Sequence, residues 1–386
     1  MPCSPVTALW RDGHQWRHAF MPRVTLQAHN IEELRGLATR LHTEQRPSEK
    51  AVGLISYHAG AALLDLPSPH KQLLAEVHIY PAEQVFDGLP GSGQRTGIDH
   101  ASLNTMGFGL REDFVSEMPW QDYQAALQQV HAYLLAGDCY QVNYSRRFSA
   151  CFVGDSLAAW SALAARHDAP HGGFFRLTDG DSVFGVSPER FLQIRHGVVV
   201  TEPIKGSRPR GNTEAEDLQL GESLRHSSKD LAENLMIVDL LRNDLGKICE
   251  PGSVQAAPLF ELRKFSNVQH LVSTVRGTLR SGVLPLDALL ACFPGGSITG
   301  APKKRAMEII EELEPAPRGF YCGSQFVQDD QGNLESSILI RTFQTQGDHI
   351  VCHGGGGIVI DSVASQEYDE SLFKVAQLMA ALPKQR

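Results

Sequence analysis

From Trp120 onward, strand-like and helical segments arrive in clusters, and this ordering constrains the fold more than any single motif does. A predicted helix over Tyr123 to Leu135 stops at Gly137 and gives way to the strand-like run Cys139 to Tyr144, after which strands and hairpins dominate to about Thr201. One long helix is expected over about Asp217 to Leu241, then strands near Gln255 and from Leu271 to Leu279. The loop Phe293 to Gly300 leads into a helix from Lys303 to Leu313. Strands over Ile338 to Gln344 and His349 to His353 follow, then Gly354 to Gly357 and a closing helix from Ser365 to Leu382. Parallel sheets need a crossover, usually helical, between successive strands, and strict alternation is missing here. The pattern therefore predicts an α+β fold with largely antiparallel sheets.

The first 112 residues carry fewer signals. Ile31, Leu34, Leu37, Ala38 and Leu41 form one helical stripe, while Val52 to Tyr57 and Val77 to Tyr80 read as strands. Asp87 to Asn104, rich in glycine and polar residues, is a candidate mobile loop or linker. At 386 residues the chain is long enough for two to three domain-sized units or one large one.

Composition excludes several classes of function. Net charge is −9, so no global basic field draws nucleic acid or anionic lipid, and an anionic substrate must be held by local Lys and Arg residues. The seven cysteines (Cys3, Cys139, Cys151, Cys249, Cys292, Cys322, Cys352) are odd in number and contain no C-x-x-C, as suits reduced thiols better than a disulfide framework or zinc site. Met1 to Phe20 lacks an apolar core of signal-peptide length, and no run of about 18 apolar residues occurs. A cytoplasmic protein is expected.

Several constellations could carry chemistry. Lys205, in Glu202-Pro203-Ile204-Lys205-Gly206-Ser207, lies sixteen positions (205 − 189) after Glu189, with the β-branched run Val198 to Thr201 between them. A lysine before glycine is most often a surface residue after a turn; held in a dry pocket, its amine becomes a nucleophile. Glu367 and Glu370 share a helix face, as do Asp230 and Glu233, and Lys374 follows Glu370 by four. Each pair alone reads as a solvated face. Together they offer an oxygen-only site for a hard dication such as Mg²⁺.

Gly295 and Gly300 fit G-x-x-x-x-G, but Ala301-Pro302 replaces the Lys-Ser/Thr of a Walker A loop. What remains is a loop of backbone N–H groups with Ser297 and Thr299 as hydroxyl donors, suited to carboxylates or phosphates. Gly354 to Gly357 would let a ligand approach the backbone, or form a strained turn. His270 sits in an apolar run, where core histidines are common; Arg341, among apolar strand residues, needs an anion if it points inward.

Taken together these segments resemble the chorismate-utilising enzymes. The resemblance rests on Gly137 to Asn143, Ser187-Pro188-Glu189-Arg190-Phe191, Pro203 to Gly206, Ala232 to Asp244, His270 to Ser273, Phe293 to Pro302, Ile340-Arg341-Thr342, Gly355 to Val359 and Glu367-Tyr368-Asp369-Glu370, in that order over about residues 120–383. It implies two antiparallel sheets packed as a sandwich flanked by helices. Residues 1–112 would form an N-terminal subdomain adding strands to it, and residues 118–383 the catalytic domain. Lys205 resembles the aminodeoxychorismate synthase component I subgroup, where anthranilate synthases usually carry alanine. Gln141 stands where isochorismate and salicylate synthases carry the lysine that activates water, so water-adding members are disfavoured.

By this resemblance Lys205 is the covalent nucleophile and Glu189 the general acid in converting chorismate and ammonia to 4-amino-4-deoxychorismate, a precursor of 4-aminobenzoate and folate. Glu233 and Glu370 would hold Mg²⁺, with Asp230 and Glu367 in support. Gln141, His270, Thr299, Arg341, Gly355, Gly356, Gly357 and Lys374 would bind substrate. Ser207 departs from the commoner threonine but keeps the hydroxyl. No glutaminase signature is present, so ammonia is expected free or from a separate glutamine amidotransferase subunit; a lyase is not expected after residue 383. An anthranilate-type enzyme is the alternative, and a non-catalytic chorismate-binding partner a third reading.

Overall fold

The computed structural model describes residues 6–67, 72–90, 107–264 and 268–385; from residue 91 on, the Asp87–Asn104 loop candidate lies outside them. Two long strands form the spine. Gln141–Val153 runs antiparallel to His349–Ile358, from Val142 opposite Ile358 to Cys151 opposite His349. Val142, Tyr144, Phe148, Ala150 and Phe152 occupy even positions, so one face of the strand is apolar, with Arg146 the exception.

Among the described residues the strands form sheets of eleven, nine and three strands, with antiparallel ladders throughout. Ala8–Asp12, Gln15–Ala19 and Val85–Asp87 extend the largest sheet; Val24–Ala28, Lys50–Ile55 and Ala75–Tyr80 extend the second. The two sheets pack face to face. Ala8, Trp10 and Phe175 of one meet Val52, Leu54 and Tyr80 of the other in a buried cluster. Phe174, one residue away from Phe175, faces the opposite core, where Leu157, Trp160, Val375 and Leu378 of the helices Ser156–Ala164 and Ala364–Ala381 cover the larger sheet. A further cluster packs Leu34, Leu41, Ile237, Leu241 and Ile310 against Ile55, Val77 and Phe326 of the second sheet. The result is the antiparallel sandwich flanked by helices. Among the described residues no helix is long and apolar enough to cross a membrane.

Several elements differ from expectation for local reasons. The 31–41 helix is two helices, Ile31–Arg35 and Leu37–Glu44, meeting at Gly36. Tyr57 leaves its strand to open the helix Tyr57–Leu63. The long helix is also two, Glu214–Arg225 and Ser228–Ile248. Thr213 and Ser227 cap them, each side chain accepting from the backbone N–H three residues on. The 271–279 strand splits into Val268–Val272 and Val275–Thr278, which belong to different sheets. The 338–344 strand breaks around Arg341, whose φ is +52°. Gly354 to Gly357 make no turn and continue the strand His349–Ile358.

Candidate active site

Lys205 stands on Ile204–Pro209, in the three-stranded sheet, paired with Val268–Val272. The register slips at Gly206: Lys205 lies opposite Leu271 and Ser207 opposite His270. Gly206 has φ +79°, and a Cβ there would lie 2.8 Å from Leu224 Cδ1 and 3.0 Å from Asp230 Cβ, so the bulge requires glycine. His270 braces this bulge, with Nδ1 2.7 Å from Ser207 Oγ and a further hydrogen bond to the Gly206 backbone. Burial holds the His270 imidazole below its usual proton affinity.

Glu189 follows Pro188 at the turn between Ser182–Ser187 and Arg190–Arg195 and is 8% exposed. Ser297 Oγ donates to its Oε1 at 2.7 Å, and Ile338 N–H donates to its backbone carbonyl at 3.1 Å. Burial raises the proton affinity of Glu189, partly offset by the Ser297 hydrogen bond and the charge of Lys205. Burial lowers that of Lys205, opposed by Glu189, Glu233 and Glu370 and reinforced by Lys374. Solvent still reaches part of Lys205, although protein crowds closely around it. Both shifts favour a free amine beside a carboxylic acid, the pairing a nucleophile and its acid partner need.

The charges acting on Lys205 therefore come from three other elements. Glu233 rides on Ser228–Ile248, whose next residue, Asn234, is tied to the small sheet: Ser273 Oγ donates to Asn234 Oδ1 at 2.6 Å and Asn234 Nδ2 donates to the Leu271 carbonyl at 3.4 Å. Glu370 and Lys374 ride on Ala364–Ala381, where Lys374 Nζ lies 2.7 Å from Glu370 Oε1 and donates to the Gly355 carbonyl at 2.9 Å. Glu367 accepts from Ser362 Oγ at 2.7 Å, and burial, with the neighbouring Glu370 charge, raises its proton affinity. A Cβ on Gly356 would lie 3.3 Å from Glu367 Oε2, 3.3 Å from Lys374 Nζ and 3.9 Å from Glu370 Oε1. Glycine at 356 thus keeps open the space on which these groups converge.

The four carboxylates are all-oxygen donors, the chemistry of a Mg²⁺ site. Their arrangement is not a finished cage. Asp230 is turned toward Arg208, 3.2 Å away, Glu370 is held by Lys374, and among the described residues no three His, Cys, Asp or Glu side chains gather closely enough to ligate a metal as they stand.

The remaining sequence-predicted residues fall in varied settings. Gln141 is 1% exposed, with both amide atoms lacking a protein partner, and a Cβ on Gly357 would lie 2.7 Å from its Nε2. Thr299 is fully buried and donates its hydroxyl to the Gly295 carbonyl at 3.0 Å, bracing its own loop. Arg341 is exposed at the surface and has no ion-pair partner among the described residues; loss of hydration still pushes its guanidinium below the usual value, and its charge is felt at His270. Gly355, Gly356 and Gly357 pair with Ser145, Tyr144 and Asn143.

The roles of four residues emerge only from the structure. Asn143, on the same strand face as Gln141, has a buried Oδ1 without a protein partner. Arg318 and Glu314, 1% and 5% exposed, form a buried pair from which Arg318 also reaches the carbonyls of Ile298 and Asn143. Arg146, 2% exposed, donates to Ser371 Oγ at 2.8 Å and the Tyr368 carbonyl at 2.7 Å, and lies 3.5 Å over the Tyr368 ring, anchoring the helix that bears Glu367 and Glu370. Its position among alternating apolar residues is the sequence signal, the same one that singled out Arg341. A separate cavity of about 550 Å³ is lined by Pro188, Arg190, Glu202 and Ile204 among others; these flank Glu189 and Lys205 in sequence, and it contains neither.

A family profile described as chorismate binding enzyme matches residues 6–380. The aminodeoxychorismate synthase component 1 of Klebsiella aerogenes is 47% identical over 275 residues, which make up 71% of this chain and 61% of that protein. The protein of the same name from Escherichia coli strain K12 is 40% identical over 359 residues, 89% of this chain and 79% of that one. In its matched part the chain spans about three fifths of the length of the Klebsiella and Salmonella typhimurium relatives. Anthranilate synthase component I from Streptococcus pneumoniae TIGR4 has a fold matching at TM-score 0.77 with 25% identity, covering 97% of this chain and 92% of that structure.

Proposed function

This chain belongs to the chorismate binding enzyme family, and from that premise we propose that it aminates chorismate at C4, as an aminodeoxychorismate synthase component I. The observation that carries the reading is the Lys205–Glu189 pair, a depressed amine beside an elevated, buried carboxyl. The neutral Lys205 amine attacks C2; the ring double bonds shift and the C4 hydroxyl leaves as water, taking the Glu189 proton. Ammonia then adds at C4, the double bonds return and Lys205 leaves C2 as a free amine. The new C4 ammonium gives its extra proton back to Glu189, so atoms and charge balance.

Arg341, with no ion partner of its own, suits the carboxylate of the pyruvyl side chain. Gln141 offers an amide where a general base would be needed to add water, which favours ammonia as the incoming group. Mg²⁺ held by Glu233 and Glu370, with Asp230 and Glu367 behind them, would neutralise the ring carboxylate. Ammonia comes from solution or from a separate glutamine amidotransferase subunit. The six described cysteines are unpaired, which suits the reducing cytoplasm.

The test is to incubate the chain with chorismate, Mg²⁺ and ammonium at alkaline pH and to separate products with and without an added lyase. A product that the lyase turns into 4-aminobenzoate, lost in Lys205→Ala, is the expected result. Anthranilate from the unaltered chain would show that Lys205 does not direct nitrogen to C4 and would overturn the reading.

A further inference from the structure

Two of the carboxylates that suit a dication are held by side-chain cations, Asp230 by Arg208 and Glu370 by Lys374, and the second cation sits on an oxygen that an ion bound there would take. Lys374 Nζ sits 2.7 Å from Glu370 Oε1 and 2.9 Å from the Gly355 carbonyl, and it converges with Glu367 Oε2 on the gap left by Gly356. Mg²⁺ binds oxygen at about 2.0–2.1 Å and tolerates little departure from octahedral geometry. An ion at that distance from Glu370 Oε1 would lie within about 5 Å of the ammonium sharing the same oxygen, with the bare carboxylate charge divided between two cations. The lysine is also free to move: its side chain is 39% exposed, and an exposed ion pair of this kind holds its partners weakly.

We propose that Lys374 is the resident counter-cation of the Glu367–Glu370 face, that a divalent cation binds by displacing it, and that the released ammonium then meets a carboxylate of the substrate. The lysine answers a problem intrinsic to the site. Two glutamates three residues apart on one helix repel each other when nothing neutralises them, and Lys374, one turn beyond Glu370, supplies that charge until the dication arrives. The exchange makes the two ligands cooperative: the dication frees a cation for the anionic substrate, and the substrate, by holding that cation away, favours the dication. Such coupling is reciprocal. This inference rests on the reading of the substrate as a dicarboxylate, but its first half does not.

The experiment uses the full chain and begins without substrate. Mg²⁺ affinity measured by calorimetry should be roughly three- to tenfold tighter in Lys374→Met than in the unaltered chain, and close to unaltered in Lys374→Arg. Acetylation of Lys374, followed by mass spectrometry, should speed up when Mg²⁺ is added, because the amine has left its two partners. Weaker Mg²⁺ binding in Lys374→Met, or acetylation unchanged or slowed by Mg²⁺, overturns the exchange. Chorismate binding comes last: Mg²⁺ should strengthen it in the unaltered chain by a larger factor than in Lys374→Met, and equal factors overturn the release of Lys374 to substrate. If Mg²⁺ behaves as expected and chorismate does not bind at all, the substrate reading fails and the exchange, decided by the first two measurements, stands.

Discussion

Replacing Arg318 by methionine should be among the most damaging single changes available outside the reacting groups. Arg318 Nε donates to Glu314 Oε2 at 2.8 Å, and Nη2 donates to Glu314 Oε1 at 2.7 Å and to the Asn143 carbonyl at 2.6 Å. Nη1 donates to the Ile298 carbonyl at 3.0 Å. The pair is 1% and 5% exposed, with the Tyr57 ring 4.6 Å from the guanidinium, so water cannot take the arginine's place. Removing one member of a buried pair costs about 3–5 kcal/mol, because the carboxylate left behind is neither hydrated nor neutralised. Glu314 also accepts from the Ser145 N–H and hydroxyl at 2.8 Å each, so Glu314→Gln keeps an acceptor for them while removing the charge. The double variant Arg318→Met/Glu314→Gln should therefore recover about 1–3 kcal/mol of the loss. Urea unfolding followed by circular dichroism measures all four corners of the cycle. A loss below about 1 kcal/mol for Arg318→Met, or strictly additive single effects, would refute the claim that this pair is shielded from water. Activity should fall as well, since the Ile298 carbonyl lies between Ser297, the partner of Glu189, and Thr299.

Two other outcomes follow from the site. In Glu189→Gln the Lys205 amine loses a carboxylate that pulls its proton affinity upward, so its already depressed value falls further and the reactive free amine persists to lower pH. Site-specific trinitrophenylation of Lys205 against pH should show its midpoint move down; a midpoint that rises or stays put means the two groups do not interact. In Gly354→Ala the new Cβ would meet the Ser371 carbonyl at 2.0 Å and Val375 Cγ2 at 3.2 Å, so the closing helix must shift outward. The strain should cost about 1–3 kcal/mol and lower the melting temperature. A variant with unaltered melting temperature would contradict that packing.

Where local chemistry decides, the sequence was a faithful guide. Val198–Thr201 and Lys303–Leu313 have the boundaries their patterns predict, and the helix ending at Gly137 does so because that glycine adopts φ +80°. The helix breaks at Gly36 and near Ser227 were legible in principle. At the second break the signal is Ser227, whose side chain accepts from the Asp230 N–H, and the start of the preceding helix carries its own, Thr213 followed by Glu216, with Glu216 Oε2 accepting from the Asn212 N–H at 2.8 Å. Sheet membership was not legible: Val268–Val272 and Val275–Thr278 look like one strand, and only distant partners send them to different sheets. The site shows the same division. The i, i+3 spacing of Glu367 and Glu370 is local and was visible, whereas Lys374 occupying their gap depends on where Gly355 and Gly356 lie in a strand folded from elsewhere. The buried arginines 146 and 318 take their meaning from neighbours up to 225 and 175 positions away.

The pairing of Lys50–Ile55 with Ser324–Asp329 bears on how the chain is made. The first strand leaves the ribosome 269 residues (324 − 55) before its partner begins, and at about 5–20 residues per second that wait is on the order of ten to fifty seconds. Ala8–Asp12 waits likewise for His171–Arg176. Through that interval the nascent chain carries apolar strands with unpaired edges, which are templates for aggregation. Neither sheet closes until the C-terminal third has been synthesised, so yield in a cell should depend on holdase chaperones and on temperature during translation more than on the stability of the finished sandwich.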